Sequence, residues 1–233
     1  MINSSNELNY LLTNSRAYLS FKIKCIIAFI FNGHFFRKKN IKKYLEKHKN
    51  IKLHLGATDE LEGFLNSQIT GKNPIDLSRR LPFKNSVVDL IFSTHVIEHL
   101  HKIQIINFLN ESYRILKPGG RNIILTPSIC KIVEILYLKE NDEKKEKLIT
   151  RQKKWTKEMP NTALYINGVF RNYGHRFILD KSFVKDKSKE IGFKNVEIID
   201  KNSIPDLTIK NYINNFKNDE SWLLETEMFI LTK

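Results

Sequence analysis

The chain has 233 residues, 41% of them hydrophobic and 27% charged, with 39 lysines and arginines against 25 acidic residues and a formal net charge of +14. A chain of that length buries one sizeable core. The cysteines, Cys25 and Cys130, lie far apart and form no C-x-x-C pair, which excludes a disulfide framework and a zinc ribbon and fits a reducing, cytoplasmic setting. The positive charge is concentrated early: from Arg16 to Lys52, Glu46 is the lone acid among many lysines and arginines. Such a run is either a solvated basic face or an attractor for an anionic membrane surface or a phosphorylated substrate.

The first 19 residues are polar and weakly patterned, a flexible lead-in. Phe21 to Phe36 is the most apolar segment, but its uninterrupted part, Cys25 to Phe31, is far shorter than the roughly 20 residues a membrane-spanning helix needs. It begins too far into the chain, and lacks the small-residue site, for a signal peptide. Two readings stand: a helix packed on the domain, or, with the adjoining RKKNIKKYLEKHK, an amphipathic helix lying in a membrane interface. Residues 1–49 are thus expected to form a basic, partly apolar helical N-terminal extension, and residues 50–233 the main domain.

Ile51 to Leu55, followed by Gly56, predicts a first buried strand and its turn. Asp76-Leu77, ahead of Arg79, Arg80 and Leu81-Pro82-Phe83, reads on its residues as a turn-capping aspartate. Val87 to Phe92 is an apolar run ending in Ser93, Thr94 and His95, a buried strand whose carboxyl end opens onto a site. A helix follows, with Ile105, Phe108, Leu109, Ile115 and Leu116 on one face, and stops at Lys117-Pro118-Gly119-Gly120. Arg121 to Leu125 resumes a strand, completing a strand, crossover helix, parallel strand unit.

Lys131 to Leu138 looks helical. Lys139 to Lys157 is heavily charged, with Leu148, Ile149 and Trp155 as its apolar residues, and predicts an exposed insertion acting as a lid within about residues 131–179. In the stretch that follows, Tyr165, Phe170, Tyr173 and Phe177 interleave with glycine around His175 and Arg176, an aromatic loop. Asp180 caps a helix from Lys181 to Ile191 that ends at Gly192. Val196 to Ile199 and Glu225 to Thr232 supply the last two strands.

The motifs L-P-F, D-x-I-x-S-x-H-V-x-E-H and Y-R-x-L-K-P-G-G, in this order and spacing, resemble the core of class I S-adenosylmethionine-dependent methyltransferases of a small bacterial type. A similar F-R-N-x-G-H-x-F run precedes the last helix in that type. The resemblance implies an α/β, Rossmann-like doubly wound sheet of seven strands with an antiparallel C-terminal hairpin. It implies S-adenosylmethionine as cofactor, held by Gly56 and Ala57 in the turn after the first strand, by Gln68 at the ribose position, by Asp76 and Leu77 at the adenine, and by Thr94 and His95 at the end of the central strand. Two positions depart from the family: Thr58 stands where K-L-x-L-G-x-G has its second glycine, and Gln68 replaces the closing acid of G-W-x-N-x-D.

Methyl transfer to a hydroxyl needs alignment and a base. His95, just past the strand, and His175, in the aromatic loop, are the candidates; Glu98 and His99, which are expected to begin the helix, read as orienting groups. Proteins of this look accompany surface-polysaccharide and lipid-modifying enzymes, so a sugar or glycolipid hydroxyl is the expected acceptor. Nucleic acid is not expected as a partner, because the basic run lacks interleaved aromatics. Two other readings remain: His95-x-x-Glu98-His99 is also the inverted zinc-peptidase motif, which on a continuous helix would put both histidines on one face, and Thr58 with Gln68 suits a methyltransferase fold retained as a scaffold. No metal is assigned.

Overall fold

The computed structural model describes residues 19–20, 23–27, 30, 36–69, 73–138, 142–153, 161–171, 174–215 and 221–233. Most of the lead-in, much of the Phe21 to Phe36 run, and Trp155 and Tyr173 lie outside them. The chain divides into two compact units, residues 1–49 with 67–75, and residues 50–66 with 76–233. No helix among the described residues is long and apolar enough to cross a membrane.

In the first unit residues 23–27 are helical, and Ile23, Ile26, Ile27 and Ile30 are exposed. Helix α1 (Lys38–Lys47) buries Ile41 and Tyr44, and the Tyr44 ring stacks on His48 with centroids 4.3 Å apart. Arg37 Nη1 donates to the Pro74 carbonyl at 3.0 Å and Asn40 Nδ2 to Asn73 Oδ1 at 3.0 Å, which ties residues 73–74 to the helix.

The second unit is built on a sheet whose strands are β1 (Lys52–Leu55), β2 (Leu65–Ser67), β3 (Val88–Thr94), β4 (Leu116–Pro127), β5 (Asn195–Ile199) and β6 (Thr226–Thr232), in the order β2-β1-β3-β4-β6-β5. β1, β3 and β4 run parallel, with Leu53 opposite Ile91 and Phe92 opposite Ile123. β6 is antiparallel to both its neighbours, pairing Phe229 with Ile124 and with Ile198. Between these strands lie α2 (Lys102–Ile115), α3 (Ile129–Val133, continued as a π-helical turn to Leu138), α4 (Asp142–Lys153), α5 (Thr162–Arg171), α6 (Lys181–Ile191), α7 (Leu207–Asn215) and α8 (Ser221–Glu225).

Alternation along the strands sends Leu90, Phe92, Ile123, Leu125, Met228 and Ile230 to one face, where they pack with Leu61, Phe64, Ile209, Ile213 and Trp222. Residues 122–127 of β4 are all buried, as expected of a central strand covered on both faces. Asp180 caps α6 by accepting from the Phe183 N–H, and the helix ends at Gly192, as its sequence predicts.

Three expectations change. Six strands are formed among the described residues, where the resemblance implies seven; residues 73–80 make turns, as the capping reading of Asp76 expects, with Asp76 Oδ1 taking the Ser78 N–H at 2.9 Å. The last two strands are antiparallel neighbours but no hairpin, since α7 and α8 intervene. The charged insertion is not simply an exposed flap. Leu148 on α4 is fully buried in a second apolar cluster with Ile132, Leu136, Tyr165, Val169 and Ile178, so one face of a charged helix is enough to seat it.

Candidate active site

The carboxyl ends of β1 and β3 meet at Gly56. Its φ is +74°, and a Cβ there would stand 2.3 Å from Val96 Cγ2, so glycine is needed both for the left-handed turn and for the approach of the two loops. Ala57 is buried behind it. Thr58 is exposed; its hydroxyl donates to Asp59 Oδ2 at 3.3 Å and lies 3.4 Å from the Tyr212 hydroxyl of α7. Beneath this turn His54 is fully buried, stacked on Phe92 with centroids 5.0 Å apart, and its Nδ1 donates to Asn66 Oδ1 at 3.2 Å. Burial lowers the His54 pKa to about 4, so the ring is neutral at pH 7.

At the end of β3, Ser93 and Thr94 are buried and neither hydroxyl has a hydrogen-bond partner among the described residues. His95 follows with φ +50°, an uncommon conformation for a residue with a side chain. This reversal and the extended Leu100 confine residues 97–99 to a single 3-10 turn, and α2 starts only at Lys102. The expectation that Glu98 and His99 begin the helix is therefore corrected. His95 and His99 do not share a continuous helix, and the arrangement that the zinc-peptidase motif requires is absent.

His95 is held by protein on both sides. The Thr226 hydroxyl gives its proton to the Trp222 carbonyl at 2.6 Å, so His95 Nε2 donates to Thr226 Oγ1 at 3.0 Å, and Nδ1 faces Glu98 Oε1 at 3.4 Å. The latter contact is not a formed hydrogen bond, which leaves Oε1 without a hydrogen-bond partner. Glu98 Oε2 accepts from the Thr126 hydroxyl of β4 at 3.2 Å. Burial pushes the Glu98 carboxyl up, but contact with His95 and the charges of His95 and His99 outweigh it and hold the group below the usual carboxylate range.

His175 joins this cluster through the backbone: the N–H groups of Arg176 and Phe177 both donate to the Glu98 carbonyl, at 2.7 and 3.2 Å. Its ring meets His99 edge to face, centroids 4.9 Å apart. Nδ1 donates to the Val169 carbonyl at 2.5 Å, which makes Nε2 the lone-pair atom of the neutral ring. Burial lowers the His175 pKa. Tyr165 and Phe170, expected on an aromatic loop, sit on α5, while His175 to Phe177 lie outside any helix.

The remaining expected cofactor residues are placed differently. Asp76 accepts from the Ser78 N–H and hydroxyl through Oδ1, at 2.9 and 2.6 Å, and pairs with Arg79 through Oδ2 at 3.1 Å, so its carboxylate closes a turn; Leu77 is buried beside it. Gln68 is exposed after β2 and belongs to the first unit. No motif flags Tyr212, Trp222, Thr226 or Glu225. Glu225, buried, takes the Tyr165 hydroxyl on one oxygen and Arg151 on the other, and so seats α4 and α5.

Residues 68–124 match a methyltransferase domain family. The match supports a methyltransferase, with S-adenosylmethionine as its cofactor. No curated protein matches the chain. Among solved structures, a SAM-dependent methyltransferase from Archaeoglobus fulgidus is similar over 84% of this chain and 92% of its own, with 15% identity and a TM-score of 0.44. Phosphoethanolamine N-methyltransferase 2 from Haemonchus contortus, in complex with S-adenosyl-L-methionine, is similar over 87% of this chain at 12% identity and a TM-score of 0.39; this chain spans 53% of its length.

The residues present fit such a cofactor at one end. A glycine turn at Gly56 and the unpartnered hydroxyls of Ser93 and Thr94 lie at the carboxyl ends of adjacent parallel strands, where ligands of open α/β sheets bind.

Proposed function

We propose that the chain is a cytoplasmic S-adenosylmethionine-dependent methyltransferase whose acceptor is a hydroxyl of a small molecule or glycan, in particular a sugar or glycolipid of surface-glycan synthesis. The observation that carries the reading is the coincidence of the family match with the grouping of Glu98, His99 and His175, with His95 against Glu98, just past two unpartnered hydroxyls at the end of β3. When bound, the cofactor supplies an electrophilic methyl group on a sulfonium. Gly56 and Ala57 would line its amino-acid end, with Ser93 and Thr94 as hydrogen-bond donors; Asp76, Leu77 and Gln68 are the further candidates. The histidine cluster would face the acceptor, with His95 and His175 nearest the chemistry: His175, whose Nε2 carries the lone pair, would take the hydroxyl proton, and His95, held between Thr226 and Glu98, would position the group.

Titration calorimetry with S-adenosylhomocysteine tests the first step, and conversion of S-adenosylmethionine in the presence of glycan acceptors tests the second. No heat and no thermal shift at millimolar ligand would remove the reading. Thr58 and the uncharged Gln68 favour the one competitor, a methyltransferase fold serving as a scaffold, which that outcome would select.

The first unit adds a peripheral attachment to this proposal. Ile23, Ile26, Ile27 and Ile30 are exposed at helical spacing beside Lys24, an apolar stripe with basic flanks that suits an anionic bilayer. Flotation with vesicles of mixed phosphatidylserine and phosphatidylcholine should recover the protein, and deletion of residues 16–49 should abolish recovery. Equal recovery with neutral vesicles rejects the attachment.

A further inference from the structure

We propose that Glu98, His99 and His175 form a binding site for a divalent first-row transition-metal ion at the carboxyl ends of β3 and β4. One ligand atom from each lies within 4.8 Å of the others. Metal–ligand bonds of about 2.1 Å in tetrahedral or octahedral geometry separate neighbouring ligands by roughly 3 to 3.5 Å, so small side-chain rotations close the set.

Three features make these residues a built site and not a chance grouping. Glu98 is fully buried, yet only Oε2 has a hydrogen-bond partner, the Thr126 hydroxyl; Oε1 has the His95 ring at 3.4 Å but accepts no hydrogen bond, and a buried carboxylate oxygen in that state suits a directly bound cation. The Val169 carbonyl takes the Nδ1 proton of His175, which fixes the tautomer with its lone pair on Nε2, the outer-shell support that metal-ligating histidines receive. The two backbone bonds from Arg176 and Phe177 to the Glu98 carbonyl lock the His175 segment onto the Glu98 turn, so the ligands are preassembled although 77 positions apart in sequence. His99 is exposed, which gives an ion a way in.

The donor set selects the ion. Two imidazoles with one carboxylate suit manganese, iron, cobalt or zinc, whereas magnesium and calcium prefer oxygen throughout. Three protein ligands leave coordination positions open. His95 is outside the set because both its nitrogens face protein groups. The site therefore differs from the His-x-x-Glu-His helix pair of zinc peptidases. Its consequence rests on the methyltransferase reading: an acceptor hydroxyl bound at an open position would be held in place and made more acidic, its proton passing to solvent water as the oxygen takes the methyl group and S-adenosylhomocysteine leaves, and His175 would then serve as a ligand and not as the base.

The test uses the full chain, stripped with a chelator and titrated with Co2+, followed by calorimetry and by the visible absorption of the bound ion. One equivalent should bind with a spectrum of mixed nitrogen and oxygen ligation. His99→Ala and His175→Ala should each weaken binding by about tenfold or more. His99 is exposed, so His99→Ala should keep the wild-type melting temperature; a loss of Co2+ in that variant is then a loss of a ligand and not of the fold. No uptake by the wild type at millimolar Co2+, or an unchanged Kd in His99→Ala, overturns the site. S-adenosylhomocysteine binding to the stripped protein is measured in parallel. Cofactor binding without metal binding removes this inference alone, and metal binding without cofactor binding removes the methyltransferase reading alone.

Discussion

Arg114 and Glu111, one turn apart on α2, form a two-pronged pair, Nε to Oε1 at 2.8 Å and Nη2 to Oε2 at 2.5 Å. The same guanidinium donates to the carbonyls of Leu81 and Phe83 at 3.0 and 2.8 Å and to Asn85 Oδ1 at 2.9 Å, while Glu111 Oε2 takes the Leu81 N–H at 2.7 Å. The pair thus fastens the Leu-Pro-Phe loop to the helix. A lysine cannot reproduce a planar fork with this many directed donors. Arg114→Lys should cost about 2 to 3 kcal/mol, several charge-assisted bonds being lost together. Urea unfolding measures it, and a change under 0.5 kcal/mol would mean that the loop is held by Leu81 and Phe83 packing alone.

His54 gives the fold an acid limit. Its neutral ring bonds Asn66, which itself closes the loop by accepting the Leu61 N–H and donating to the Leu61 and Phe64 carbonyls. Asp59 and Tyr212 are the other polar groups facing it. Its folded pKa of about 4 lies below the unfolded value of 6.5. Above pH 6.5 both states are neutral and the stability is fully present; as pH falls toward 4 the unfolded chain gains a proton that the native one refuses. Stability should drop by up to about 3 kcal/mol across that window. Unfolding at pH 7.5, 6.0 and 4.5 should show this fall in the wild type and a shallower one in His54→Gln. Identical slopes would place the acid limit elsewhere.

The helix from Lys181, its Asp180 cap and its Gly192 end, and the crossover unit from β3 to β4, are legible because each is written in neighbouring residues. The Leu-Lys-Pro-Gly-Gly segment at the start of β4 is another local instruction: a Cβ at Gly120 would stand 2.9 Å from the Lys117 carbonyl and 3.1 Å from that of Val88. What the sequence hides is long-range. The Glu98 turn and the His175 segment are joined by main-chain bonds, which any residue types could make. The seating of α4 depends on Leu148 and on Glu225, remote in sequence and buried between Tyr165 and Arg151. The inverted zinc-peptidase pattern misleads for a local reason: His95 at φ +50° breaks the helical register the motif assumes.

Asn122, in the middle of β4, is fully buried and neither atom of its amide has a partner among the described residues. A polar group desolvated without compensation lowers stability, and replacing it with an apolar side chain of similar size removes the penalty. Asn122→Leu should raise stability by about 1 to 2 kcal/mol and the melting temperature with it. A lower melting temperature would reveal a bridging water that the leucine displaces.

The turn after β1 gives the sharpest test of the cofactor reading. Gly56→Ala forces a side chain into a left-handed conformation, at about 1 to 2 kcal/mol, and drives its Cβ toward Val96 Cγ2, 2.3 Å away in the present geometry. Opening Val96 to alanine removes the second effect and not the first. The double variant should therefore be less destabilised than the sum of the singles by about 1 kcal/mol or more, a coupling that reports the contact itself. S-adenosylhomocysteine affinity should follow the backbone: reduced in Gly56→Ala and still reduced in the double variant. Thr58→Gly, whose lost hydroxyl contacts Asp59 and Tyr212 only at 3.3 and 3.4 Å, should change stability by less than about 1 kcal/mol. Calorimetry on the wild type and the four variants decides the matter. Unchanged affinity in Gly56→Ala, with its stability loss confirmed, would show that the ligand does not use this turn.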